Sequence, residues 1–207
     1  MEKLIDGYRR FRADVWPAER ERYRVLAEKG QRPETMVIAC SDSRVDPQTV
    51  FGCGPGELFV VRNVAALVPP YSPDGGYHGT SAALEFAVRV LQVKRLVVLG
   101  HARCGGVQAM AEGAPETAQD FVVPWVSIAQ GALDRVPHQH AEGEEHGHAH
   151  LDLCEMEVIR LTLGNLLTFP WIRDAVAAGA LAIHGFRFDI HTGILARVTD
   201  KGLQPVS

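Results

Sequence analysis

No segment of this 207-residue chain approaches the roughly 20 consecutive apolar residues that a membrane-spanning helix needs. Met1 to Tyr8 also hold no apolar core of the kind that marks a secretory leader. A basic excess is missing too: 21 Lys+Arg stand against 25 Asp+Glu, for a formal net charge of −4. That balance argues against nucleic-acid binding, which draws on a concentrated cationic surface. Cysteine is sparse, with Cys40, Cys53, Cys104 and Cys154 the only four. Without a leader to direct the chain to an oxidising compartment, a disulfide framework is not the first reading, and a cytoplasmic protein without membrane or nucleic-acid partners is expected. Internal repeats are not visible.

With 46% hydrophobic residues, the chain can bury one substantial core, and a single domain spanning 1–207 is expected. Residues 1–29 are charged, with apolar positions at helical intervals, and Pro17 divides them into two helices of an N-terminal arm. Glu34 to Cys40, Leu58 to Val61, Leu96 to Leu99 and Leu181 to Phe186 are short apolar runs without alternation, as in strands covered on both faces. Thr80 to Leu91 shows helical spacing and leads into the third of these runs, which makes a βαβ crossover. Phe121 to Leu133 and Leu151 to Leu167 read as further helices, and Ile190 to Val198 as an edge strand. The expected fold is α/β: a central, mostly parallel sheet of four strands plus an edge strand, flanked by helices. Residues 138–150 hold five of the nine histidines among Gly and Glu, without apolar anchors, and read as a surface loop.

Two clusters carry chemistry. Cys40-Ser41-Asp42-Ser43-Arg44 ends the first strand, and His101-Ala102-Arg103-Cys104-Gly105-Gly106 ends the third. Parallel strands direct both clusters to the carboxyl edge of the sheet, where open α/β folds gather their ligands. Two thiols and one imidazole are a normal ligand set for catalytic zinc, with a fourth position left for water. Cys104 falls at a helix start, whose positive end favours a thiolate.

These residues, together with Pro55-Gly56-Glu57, Val60-Val61-Arg62-Asn63 and Gly100 before His101, resemble the β-class carbonic anhydrases in order and spacing over most of the chain. The resemblance implies one Zn2+ per subunit on Cys40, His101 and Cys104. It implies Asp42 and Arg44 as a catalytic dyad, and reversible hydration of carbon dioxide to bicarbonate and a proton by zinc-bound hydroxide, with activity rising toward alkaline pH. In a closed state Asp42 would itself become a ligand. Gln31, Phe59, Val64 and Phe86 match substrate-pocket positions, with the Gly105 amide facing the anionic product. Val37 and Phe188 stand where switchable members carry a tryptophan and a tyrosine of an auxiliary bicarbonate site, although Arg62 is kept, so the plant-like, open type is expected. Family members are homodimers or larger homo-oligomers with active sites at the subunit boundary, and the arm resembles helices that wrap a partner.

Two alternatives stay open. The same zinc motif serves relatives that hydrolyse carbon disulfide or carbonyl sulfide. A non-catalytic zinc protein that stores or senses metal through the histidine segment is the other, although an intact Asp42 and Arg44 weigh against it.

Overall fold

The computed structural model describes residues 1–137 and 144–206. An arm of α1 (Glu2–Arg10) and α2 (Trp16–Lys29), joined through a wider helical turn at Phe11–Val15, precedes the sheet. Pro17 lies in the first turn of α2, where its missing N–H costs nothing. Phe11, Trp16 and Tyr23 pack on one another, with Trp16 and Tyr23 rings 5.1 Å apart. None of the arm's residues is buried.

Six strands make one sheet in the order β2-β1-β3-β4-β5-β6. Strands β1 (Thr35–Cys40), β2 (Leu58–Asn63), β3 (Arg95–His101) and β4 (Ala182–Phe188) run parallel. The remaining two, β5 (Leu195–Thr199) and β6 (Gly202–Pro205), complete an antiparallel extension. The four parallel strands are the expected ones. The expected edge strand is shorter, because Asp189 Oδ1 accepts the amides of His191 and Thr192 and bends 189–194 into a turn. The edge beyond β5 belongs to β6, a four-residue, half-polar hairpin arm with no apolar run to signal it.

Alternation along β1 and β3 explains their continuous burial. Met36, Ile38, Leu96 and Val98 face one core, shared with Leu84, Ala87, Ile159, Leu166, Phe169 and Ile172. Val37, Ala39, Val97 and Leu99 face another, with Val45, Phe51, Phe186 and Phe188. Helix α3 (Pro47–Phe51) follows β1, and Asp46 caps it by accepting the Thr49 amide at 2.9 Å. The Thr80 to Leu91 expectation is met by α4 (Gly79–Glu85) and the wider turn Phe86–Val90. Helix α5 (Gly105–Glu112) follows β3.

The single helix expected over 121–133 is broken into α6 (Val122–Val126), a tight turn at Ser127–Ala129 and α7 (Gln130–Leu133). Ser127 Oγ bonds back to the Pro124 carbonyl at 2.8 Å, a contact that bends helices. Helix α8 (Glu144–Leu166) starts seven residues before Leu151 and corrects the loop reading for residues 144–150, since extending an anchored helix is far easier than starting one. Residues 138–143 of that reading lie outside the described residues. Helix α9 (Pro170–Ala177) leads into β4. Among the described residues, no helix is long and apolar enough to cross a membrane.

Candidate functional site

The parallel registers place the last residues of β1 and β3 at the same end of the sheet, and their ligand atoms converge. One donor atom from each of Cys40, His101 and Cys104 lies within 4.8 Å of the others, and all three residues are buried. The two sulfurs are 3.8 Å apart. Thiolates each about 2.3 Å from a tetrahedral zinc ion stand about 3.8 Å from one another, so the spacing suits the metal. His101 Nδ1 donates to the Ala102 carbonyl at 2.9 Å, which leaves the lone pair on Nε2. Nε2 is buried and has no hydrogen-bond partner, an orphan that a cation would satisfy.

The two sulfurs share a hydrogen bond, which couples their ionisation. The hydrogen bond shared with Cys104 pushes the Cys40 thiol down, to about 4. Cys104 is pushed up by the same hydrogen bond and by burial. A dication held by the two sulfurs would compete with protons for them.

Asp42 follows the first ligand by two residues and is turned onto Arg44. Arg44 donates through Nε to Oδ1 at 2.9 Å and through Nη2 to Oδ2 at 2.7 Å, and its own amide donates to Oδ1 at 2.9 Å. These hydrogen bonds hold the Asp42 carboxyl well below the usual carboxylate range. Oδ2 lies 3.8 Å from His101 Nε2, beside the ligand cluster and outside it. Arg44 Nη2 also donates to the Arg103 carbonyl at 2.9 Å, which ties the two strand ends together.

Arg62 has a role that its type alone does not disclose. Its Nε donates to the Cys40 carbonyl at 2.8 Å, and its Nη2 to the carbonyls of Asp42 and Val45 at 2.6 and 2.8 Å. The guanidinium therefore clamps the loop that carries Asp42. Next to it, Asn63 braces the turn Val64–Ala66, donating to the Leu67 carbonyl and accepting the Leu67 amide, both at 2.8 Å. That turn holds Ala65 and Ala66 at positive φ, 64° and 54°, where alanine is strained. Gly106 lets α5 press on it: a Cβ there would come within 2.6 Å of Val64.

The expected pocket residues divide. Val64, partly exposed, adjoins Gly106, and Gly105 opens α5 directly after Cys104. Phe59 pairs with Met36, four residues before the Cys40–Asn63 pair, so it sits about 13 Å away along the strands. Phe86, 44% exposed, stacks on Phe59 with centroids 5.8 Å apart. Gln31 is exposed and precedes the start of β1, at that same far end. Within one chain these three do not reach the Cys-His-Cys cluster, because a strand has two ends and only the carboxyl end carries that cluster. Val37 is fully buried in apolar contacts, and Phe188, half-buried, ends β4 level with His101, four residues further along the sheet.

Comparison with known proteins bears on this geometry. The family model for carbonic anhydrase matches residues 35–195. The chain belongs to the β-carbonic anhydrase family. A carbonic anhydrase of Pseudomonas aeruginosa is 39% identical over 194 residues, covering 93% of this chain and 85% of that one. Among solved structures, the β-carbonic anhydrase CcaA superposes with a TM-score of 0.91 at 28% identity, covering 100% of this chain and 99% of the other. A tetrameric β-carbonic anhydrase from the filamentous ascomycete Sordaria macrospora gives 0.80 at 26% identity, with 95% of each chain covered. The chain is accordingly an enzyme of the carbonic anhydrase class, and its Cys-His-Cys cluster is of a kind that could hold the metal.

Proposed function

We propose that this chain catalyses the reversible hydration of carbon dioxide to bicarbonate and a proton, with Cys40, His101 and Cys104 holding one zinc ion. The observation that carries the reading is the convergence of two sulfurs and an unpartnered imidazole nitrogen beside a carboxylate already aimed by an arginine. Zinc in such a site makes water acidic enough to supply a hydroxide-strength nucleophile near neutral pH.

The protein's own groups supply direction. Asp42, kept ionised and gripped on both oxygens by Arg44, is placed to accept a hydrogen from the attacking oxygen and so to aim its lone pair. Arg62 keeps Asp42 in place through the loop backbone. Val64 offers an apolar contact to carbon dioxide, and the Gly105 amide, free at the start of α5, suits the anionic product.

The reading extends to type and assembly. Val37 and Phe188 offer no hydrogen bond to an auxiliary bicarbonate, and Arg62 Nε and Nη2 are turned onto backbone carbonyls, which supports the open type. A homo-oligomer fits the exposed apolar residues of the arm, Leu4 at 71% and Tyr8 at 61% among them, and one solved relative is tetrameric. Gln31, Phe59 and Phe86 would then contribute to substrate binding across a subunit boundary. All four cysteines are unpaired, as suits a cytoplasmic setting.

Stopped-flow carbon dioxide hydration by protein of measured zinc content tests the proposal. Turnover proportional to bound zinc is expected; no hydration by the zinc-loaded protein, or hydrogen sulfide release from carbon disulfide in its place, would overturn it.

A further inference from the structure

A buried charged cluster lies behind the metal ligands, and the chemistry proposed above makes no use of it. Glu155 of α8 is 3% exposed and Arg187 of β4 is 6% exposed. Arg187 Nε donates to Glu155 Oε2 at 2.8 Å, while its Nη2 donates to Asp152 Oδ1. The other carboxylate oxygen, Glu155 Oε1, accepts the backbone N–H of Cys104 at 3.2 Å. A buried ion pair is a poor source of stability, since apolar side chains of similar volume often serve as well. A carboxylate with one oxygen on an arginine and the other on a ligand's backbone is better explained by what it holds.

Its reach is set by close packing. A Cβ on Gly100 of β3 or on Gly185 of β4 would come within 2.6 Å of Ile159, so both glycines let α8 settle onto the sheet. Ile159 is one turn beyond Glu155 on the same helix face, and its seating fixes where the carboxylate meets the turn after β3.

That turn needs holding. Arg103 sits at φ 58°, a left-handed conformation that costs a non-glycine residue about 1 kcal/mol. Both flanks of the strained residue serve the site. Its carbonyl accepts Arg44 Nη2, and the next side chain is the Cys104 sulfur, 3.8 Å from that of Cys40.

We propose that Glu155, oriented by Arg187, is a positioning residue whose hydrogen bond to the Cys104 amide fixes the Arg103–Cys104 turn. One buried carboxylate thereby sets the second thiolate ligand and the Asp42–Arg44 pair together. The inference rests on Cys104 being a zinc ligand.

The test is the zinc dissociation constant of the full-length chain, measured by competition with a chromophoric chelator, beside the melting temperature of each metal-free protein. Glu155→Asp keeps the charge and withdraws the oxygen by one methylene. Glu155→Gln keeps the length and offers one acceptor to two buried donors. Each is expected to weaken zinc binding about tenfold, as loss of a group supporting a metal ligand does. Asp152→Asn touches Arg187 but not Cys104, and should bind zinc as the wild type does. Weakening in Glu155→Gln alone would make charge the cause and overturn the proposal. Wild-type affinity in both Glu155 variants would overturn it too, even if their melting temperatures fall. Arg187→Lys keeps the charge and loses the planar fork, so it gives an independent reading if a Glu155 variant does not fold. Weakened zinc binding there supports the proposal and unchanged binding overturns it. If the wild type itself takes up no zinc, the proposed function fails together with this inference.

Discussion

The two ends of the parallel sheet differ in how far one chain completes them. At the carboxyl end, the Cys-His-Cys cluster is buried and braced by Arg44, by Arg62 and Asn63 of β2, and by Glu155, three separate segments of this chain. At the amino end, Phe86 stacks on Phe59 with nearly half its surface open, Gln31 is exposed, and the arm carries Leu4 and Tyr8 into solvent. The difference teaches that the Cys-His-Cys cluster is complete within the single fold, whereas the apolar surface at the other end is left open by it. On the proposal above, a second copy covers that surface.

The largest expected effect separates the two ends outright. Cys40→Ser removes a ligand, so bound zinc and hydration activity should both fall to background while the oligomer mass stays unchanged by light scattering. A variant that keeps full activity would dissolve the ligand assignment. The converse change is deletion of residues 1–29, which should lower the oligomer mass and leave zinc stoichiometry intact. Loss of zinc on truncation would show that the ends are not independent.

Smaller changes sharpen the picture of the braced end. Arg62→Met leaves three backbone carbonyls without their donor and should cost about 2 kcal/mol in denaturant unfolding. A cost near zero would mean that the loop holds itself. Asp46→Ala removes the cap of α3 and should cost about 1 kcal/mol at pH 7. The Thr49 amide holds the Asp46 carboxyl below its ordinary value. A depressed carboxyl contributes fully above its unfolded value, near pH 4, and loses that contribution as pH falls through its folded value. The difference between wild type and Asp46→Ala should therefore shrink on acidification; a difference independent of pH would contradict the ionised cap.

Much of this was legible in the residues. The four parallel strands are apolar runs of strand length, and Cys40, His101 and Cys104 stand at or just after two of their ends, so the convergence of these side chains follows from parallel topology. Asp42 and Arg44 are local to Cys40. Glu155 and Arg187 are not: they come from elements that begin about 40 or more residues after Cys104, in sequence that reads as ordinary amphipathic helix and strand. Only the fold brings them behind Cys104. The role of Arg62 was hidden for another reason, since its partners are backbone carbonyls, which carry no sequence signature. Strand β6 was too short and too polar to show a period. The start of α8 was obscured by a composition that suggests a loop, whereas helix propagation from the anchored segment after Leu151 governs its backbone. The pocket positions were recognisable by type, but type alone does not tell which end of a strand, or whose site, they face.

The most direct test pairs zinc content with turnover in Asp42→Asn. This variant keeps all three ligands and loses the carboxylate's ability to stay ionised and accept two arginine donors. The account predicts a single zinc ion per chain, as in the wild type, with stopped-flow carbon dioxide hydration reduced by about a hundredfold or more. Wild-type turnover in zinc-loaded Asp42→Asn would contradict it.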